Sequence, residues 1–377
     1  MERGRCNEMP SGKASAALFD PAKFPPEWSS VMSAIFVGVI LSLVAGILNG
    51  SFAAPTKYAR KWQWENIWSV WAVVAMFLFP WTIAFLTIPH SGQLYGSIGA
   101  RQIWLLAIFG IGFGLAQIFF GLGIAAVGIA LNFAIAIGIS TAFGSLVPLV
   151  FQHAEKIFTP QGELILLGVL LTLVGIVLCA IAGREKERQF RLTFEEVEAE
   201  AGSKPRLSFA TGLTFCILAG LGSPLGNFGL AFCTPTVNRA VELGASVSNK
   251  YNAIWAPLYT ASLIPYLLYC IYLWRKNHTF GLFGAPGTGI NWFYGVIMGL
   301  LWMGSSAIYG VGAARIGDMG PVLGWPLFMS VIIITSSAWG FLTGEWKGAG
   351  KKSASEMAAA IGFLILGFIT LAYSGTL

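Results

Sequence analysis

Few side chains in this sequence can do chemistry inside apolar surroundings, and they are of three kinds. Glu65, Glu155, Asp318 and Glu345 sit at the edges of long apolar runs. A group that carries a proton across a barrier must titrate and be reachable from both sides, so these four are the proton-coupling candidates. Glu155 and Glu345 stand in similar places, each followed closely by a lysine (Lys156, Lys347). Asp318 lies three residues after Arg315, where a local ion pair is the simpler reading. We rank Asp318 and Glu345 first. The amides Asn49, Gln117, Asn132, Asn227 and Asn252 fall within or beside apolar runs, and Trp71, Trp302 and Trp325 fall deep within them. A flat aromatic face beside amides suits a sugar, whose C–H face packs on the ring while its hydroxyls exchange hydrogen bonds. For any one amide, bonding between helices is an equally good explanation.

Other chemistries lack their residues. The three histidines, His90, His153 and His278, form no cluster with acids or cysteines that would suggest a metal or hydrolysis. The five cysteines are scattered and read as free thiols. No phosphate-cradling glycine–lysine loop points to ATP, so any transport would be driven by an ion gradient or by the solute's own. We expect no enzyme activity, no metal and no cofactor beyond a coupling proton. The net charge of +6 does not imply nucleic acid, because the basic residues sit mostly in loops between apolar runs.

The elements that must position these groups are membrane helices. The chain is 56% hydrophobic and 11% charged, with a mean hydropathy of +0.71, against about 25% charged residues in soluble domains. Gln102 to Ala154 contains no Asp, Glu, Lys or Arg. It is too long for one crossing, which takes about 20 residues, and reads as two helices with a tight turn. Hydropathy predicts ten spans, near 32–51, 67–88, 102–126, 129–151, 163–183, 208–231, 251–273, 291–313, 320–342 and 356–375. Residues 1–31 read as an N-terminal tail, with Met32 as an alternative start. Residues 32–183 form a first group of five spans, 184–207 a charged linker and 208–377 a second group of five. Prolines 80, 148, 224, 257, 265 and 326 fall in or near spans, as kinks or as breaks lining a cavity. Lysine and arginine concentrate in the loops after spans one, three, five, seven and nine, which places those loops in the cytoplasm and both termini outside.

The two groups of five resemble each other in order. Phe52-Ala-Ala-Pro-Thr56 matches Phe232-Cys-Thr-Pro-Thr236, Ile67-Trp68 matches Ile254-Trp255, and the glycine pattern from Phe120 to Gly128 matches that from Tyr309 to Gly317. A repeat of five spans is odd-numbered, so its second copy enters from the opposite face. The expected architecture is therefore all-α, ten membrane helices in two inverted five-helix repeats, with a solute held where the halves meet. That is the plan of a carrier, for which a monomer suffices and a homodimer is the alternative.

The run Lys61-Trp62-Gln63-Trp64-Glu65-Asn66-Ile67-Trp68-Ser69-Val70, with Phe52-x-x-Pro55 before it and Pro80-Trp81 after it, resembles the bacterial L-rhamnose–proton symporters of the drug/metabolite transporter superfamily. Ile135-Ala-Ile-Gly-Ile139, Leu166-Leu-Gly-Val-Leu170, Ala314-Arg-Ile316 and Glu345-Trp346-x-x-Ala349-Gly350 extend the likeness from about residue 32 to 350. The resemblance implies proton-linked import of L-rhamnose or a related 6-deoxyhexose through the bacterial inner membrane. It departs over Leu213 to Tyr272, and at Pro321, where such symporters carry an acidic residue. The alternative is an exporter or exchanger of another small solute on the same fold.

Overall fold

Residues 26–198, 208–344 and 346–377 are described in a computed structural model. The elements are all helical: α1 (Pro26–Ser51), α2 (Trp64–Val73), α3 (Phe79–Thr87), α4 (Ser91–Ser97), α5 (Ala100–Val127), α6 (Ile129–Gln152), α7 (Pro160–Glu198), α8 (Phe209–Gly222), α9 (Leu225–Phe232), α10 (Thr234–Glu242), α11 (Asn252–Asn277), α12 (Gly289–Ile316), α13 (Gly320–Leu342) and α14 (Gly350–Ser374). Among the described residues, ten helical stretches are long and apolar enough to cross a membrane. Their order is the expected one, with ends shifted by a few residues, and we number them spans one to ten.

Local chemistry explains the irregular spans. Span two joins α2 to α3 through a π-helical turn at Val74–Leu78. Pro80 follows after Phe79; it has no N–H and its ring crowds the carbonyl four residues back, and a widened turn relieves both problems. Span six is broken: α8 ends at Gly222, and Ser223 and Pro224 separate it from α9. The prolines at 148, 257, 265 and 326 are carried inside continuous helices. The long uncharged stretch turns at Gly128, whose φ of +87° is open to glycine without strain. Beyond span five, α7 continues to Glu198, into the stretch expected to be linker. Arg188 Nη2 reaches Glu185 Oε1 at 2.8 Å, one turn along, which supports helix there. Residues 1–25 of the expected N-terminal tail lie outside the described residues, Cys6 among them, and residues 26–31 already belong to α1; the remaining linker, 199–207, also lies outside, and the other cysteines are free.

Span one packs on spans eight and nine, and span six on spans three and four. Span two meets eight, span three meets seven, and two meets seven. Span four meets nine, and span five lies along span ten at the flank. Small residues permit the closest approaches. At Gly110 and Gly114 of α5 there is no room for a Cβ against the carbonyls of Leu258 and Ser262 in α11.

The loops fall into two sets. One end of the molecule, here the basic end, collects the loops after spans one, seven and nine, where Lys57 bonds Thr343 and Lys61 bonds the Pro286 carbonyl. The opposite end collects the loops after spans two, six and eight.

Candidate functional site

Spans one to four and six to nine surround a cavity of about 370 Å³, and spans five and ten contribute nothing to its lining. That volume lies in the range of small-molecule sites.

An aromatic ladder forms one wall. Trp64, Trp68, Trp71, Trp302, Tyr259 and Trp255 follow one another with centroids 5.8, 5.1, 5.3, 4.9 and 5.3 Å apart. Residues 64, 68 and 71 share one face of α2 because a helix returns to the same side every three or four residues. The ladder starts at the basic end, where Trp64 is 37% exposed, and finishes at the opposite end, where Trp255 is 2% exposed. The facing wall toward spans four and nine is apolar, with Phe133, Ile137, Met329 and Ile332.

Polar groups are few and neutral. Gln117 lines the cavity and has no hydrogen-bond partner among the described residues. Asn49, a lining residue, donates from Nδ2 to Ser305 Oγ at 2.8 Å. Tyr259 donates to Ser306 Oγ at 3.3 Å. Ser140 Oγ and the indole N–H groups of Trp71 and Trp255 are buried without acceptors, while Trp62, Trp81, Trp274, Trp325 and Trp339 all donate to protein oxygens. No Asp, Glu, Lys, Arg or His lines the cavity among the described residues, and no group of His, Cys, Asp and Glu there could hold a metal.

The opposite end is shut. Asn227, in the α9 half of broken span six, donates to the Gly144 carbonyl of span four and the Pro321 carbonyl of span nine, at 2.8 and 3.0 Å. Its Oδ1 accepts the hydroxyl of Tyr309. Trp325 Nε1 donates to the Ser140 carbonyl at 2.9 Å, and Ser145 Oγ to the Val322 carbonyl at 2.7 Å. Gly144 has no room for a Cβ beside the Trp325 indole, so the glycine is what allows this seal.

Of the eight solute candidates, Asn49, Trp71, Gln117, Asn227, Trp302 and Trp325 line the cavity; Asn132 and Asn252 do not. Asn132 is fully buried beside Gly123 and Cys216, with both amide atoms unpaired. Asn252, at the start of span seven, donates to Thr87 at the end of span two at 3.1 Å. Glu65, at the start of span two, mirrors that tie. Its Oε1 accepts from Asn277 Nδ2 and Thr279 Oγ1, at the end of span seven, at 2.9 and 2.7 Å. Two of the other acidic candidates are remote from the cavity. Glu155 and Asp318 are exposed in loops at the opposite end, Glu155 3.9 Å from His153. Glu345 lies outside the described residues.

Trp64, Trp68, Trp255, Tyr259 and Tyr309 are lining residues that the sequence reading does not single out for the site. The Ile-Trp match between the two halves marks Trp68 and Trp255, which stand toward the two ends of the ladder. Nothing in the sequence marks Tyr259.

The family model of the L-rhamnose-proton symport protein (RhaT) matches residues 31–373, all ten spans. Proteins named L-rhamnose-proton symporter from Yersinia pestis (strain Pestoides F) and Yersinia pseudotuberculosis (serotype O:1b, strain IP 31758) are each 28% identical over 343 residues, covering 89% of this chain and 96% of their own. A match of that extent places the protein among multi-pass membrane transporters, not enzymes: the chain belongs to the L-rhamnose-proton symport protein (RhaT) family.

Proposed function

We propose that this protein imports a neutral sugar, L-rhamnose or a related 6-deoxyhexose, with a proton, across the bacterial inner membrane by alternating access. The observation that carries the reading is the aromatic ladder beside unpaired neutral hydrogen-bonding groups, in a cavity that no charged side chain among the described residues lines. Pyranose C–H faces pack on rings, and hydroxyls bond amides and indole N–H groups. An ionic metabolite would find no countercharge there, at a steep desolvation cost. The apolar wall of Phe133, Ile137, Met329 and Ile332 suits the methyl group of a deoxy sugar.

Two inverted repeats supply the movement in this reading. The span pairings support it: exchanging each span with the one five places on turns one–eight into six–three, one–nine into six–four and two–eight into seven–three, and leaves two–seven, four–nine and five–ten unchanged. The ties Glu65–Thr279 and Asn252–Thr87 are related in the same way. Each half can then take the other's conformation, closing the open end and opening the closed one. With the basic end in the cytoplasm, the arrangement described is inward-open. One chain walls the whole cavity, so a monomer suffices.

The test is uptake of labelled L-rhamnose by proteoliposomes under an imposed pH gradient. Accumulation that an uncoupler abolishes supports the proposal. Equilibration without accumulation removes the proton, and no uptake by a preparation that still exchanges another solute removes the sugar.

A further inference from the structure

Among the described residues, Glu65 is the only acidic side chain that is buried, at 3% exposure. No lysine, arginine or histidine pairs with it there. A carboxylate so placed is costly unless its charge is otherwise held. Here it lies in the first turn of α2, where the helix dipole favours an anion. Two neutral donors, Asn277 Nδ2 and Thr279 Oγ1, converge on its Oε1. The same stretch is tied again by Trp274 Nε1 to the Glu65 carbonyl at 3.1 Å and by Asn66 Nδ2 to the Thr279 carbonyl at 3.0 Å. Glu65 is thus the ionisable member of a joint between the start of span two and the end of span seven. Its counterpart at the other end, Asn252, cannot ionise.

Its position connects it to the cavity. Trp64 precedes it, and Trp68 follows within one turn; both line the cavity. Trp64 in turn packs on Tyr266, also a lining residue, and on Tyr269 of span seven, with ring centroids 6.0 and 6.3 Å apart. The other titratable groups of span seven toward it are Tyr269 and Cys270; Arg275, Lys276 and His278 at the end of that span are exposed. Lys61, before α2, is engaged with the Pro286 carbonyl.

Resting on the symport reading, we propose that Glu65 is the proton-coupling group, a positioning residue whose protonation releases the span two–span seven joint. The carboxylate takes one proton from water reached through the cavity when the opposite end is open, forming an O–H bond. It returns that proton to water at the basic end, breaking the bond. Ionised, it holds Asn277 and Thr279 by charge-assisted hydrogen bonds and keeps the joint as described. Protonated, those bonds weaken, and the tryptophan face of α2 is free to turn.

The experiment compares wild type with Glu65→Gln and Thr279→Val in proteoliposomes, reading both exchange of labelled L-rhamnose at equilibrium and accumulation under a pH gradient. Exchange needs no net proton movement, so Glu65→Gln is expected to keep exchange and lose accumulation. Thr279→Val removes a donor to the ionised carboxylate, so it should keep accumulation and shift its pH profile upward. Accumulation by Glu65→Gln equal to wild type overturns the proposal. If Glu65→Gln does not fold, an unshifted pH profile in Thr279→Val overturns it instead. Wild type that exchanges but never accumulates overturns the symport reading, and this proposal with it.

Discussion

The hydroxyl of Tyr309 donates to Oδ1 of Asn227, whose own amide nitrogen donates to two carbonyls on spans four and nine. One amide thus joins spans four, six, eight and nine at the closed end of the cavity. Each of its polar atoms is occupied within the protein, so Asn227 holds the end shut and is not free to bind solute in this conformation.

Removing the Tyr309 hydroxyl leaves a buried acceptor unpaired only while the end is shut, a cost of about 1–3 kcal/mol. We expect Tyr309→Phe to bias the protein toward opening at that end by roughly tenfold. A cysteine placed at Ser140 should then react faster with a membrane-impermeant maleimide added from that side. An unchanged labelling rate would exclude a latch.

Gln117 faces the cavity with no partner among the described residues. Gln117→Leu should raise the KM for sugar uptake about three- to tenfold, the worth of one hydrogen bond, without lowering the melting temperature. A fall in stability with KM unchanged would assign the amide to packing.

Both amide atoms of Asn132 are buried and unpaired. Asn132→Leu should therefore stabilise the conformation described here by about 1–3 kcal/mol. Thermal unfolding of the detergent-solubilised protein measures this. A lower melting temperature would mean that the amide is satisfied, by water or by solute.

Gly114 has no room for a Cβ against Ser262 of α11, whereas Gly92 has open space. Gly114→Ala should cost about 1–3 kcal/mol through forced separation of the two helices, and Gly92→Ala little. Size-exclusion traces after a heat step compare the two.

Glu155 and Asp318 are exposed in loops. Glu155→Gln and Asp318→Asn should leave pH-driven accumulation intact. Loss of accumulation in Asp318→Asn with exchange retained would return coupling to a residue that sequence alone ranks first.

Hydropathy alone reveals the ten spans, because a membrane helix announces itself by about twenty apolar residues in a row. Gly128 is legible as the turn inside the long uncharged stretch for a similar reason. Depth along a span is legible too, which is why Trp71, Trp302 and Gln117 fall at the cavity. The side of a helix that faces a cavity is not. Gln117 and Asn132 occupy similar apolar sequence on consecutive spans, yet one is free and the other enclosed, since neighbouring spans set the rotation of each helix. A span that is apolar on every side carries no polar stripe to betray that rotation. Asp318 and Glu345 rank first on sequence among acids near span ends, and only packing tells an exposed loop such as that of Asp318 from a buried joint such as that of Glu65.

The α7–α14 pair stands outside the ring of helices that encloses the cavity. Bilayers differ in thickness, and a helix answers mismatch by tilting. A flank that tilts without touching the solute site can take up that adjustment. Transport rates should therefore vary little between liposomes of short and long acyl chains, and the outer faces of these two helices are free to adapt to the lipids of a particular host.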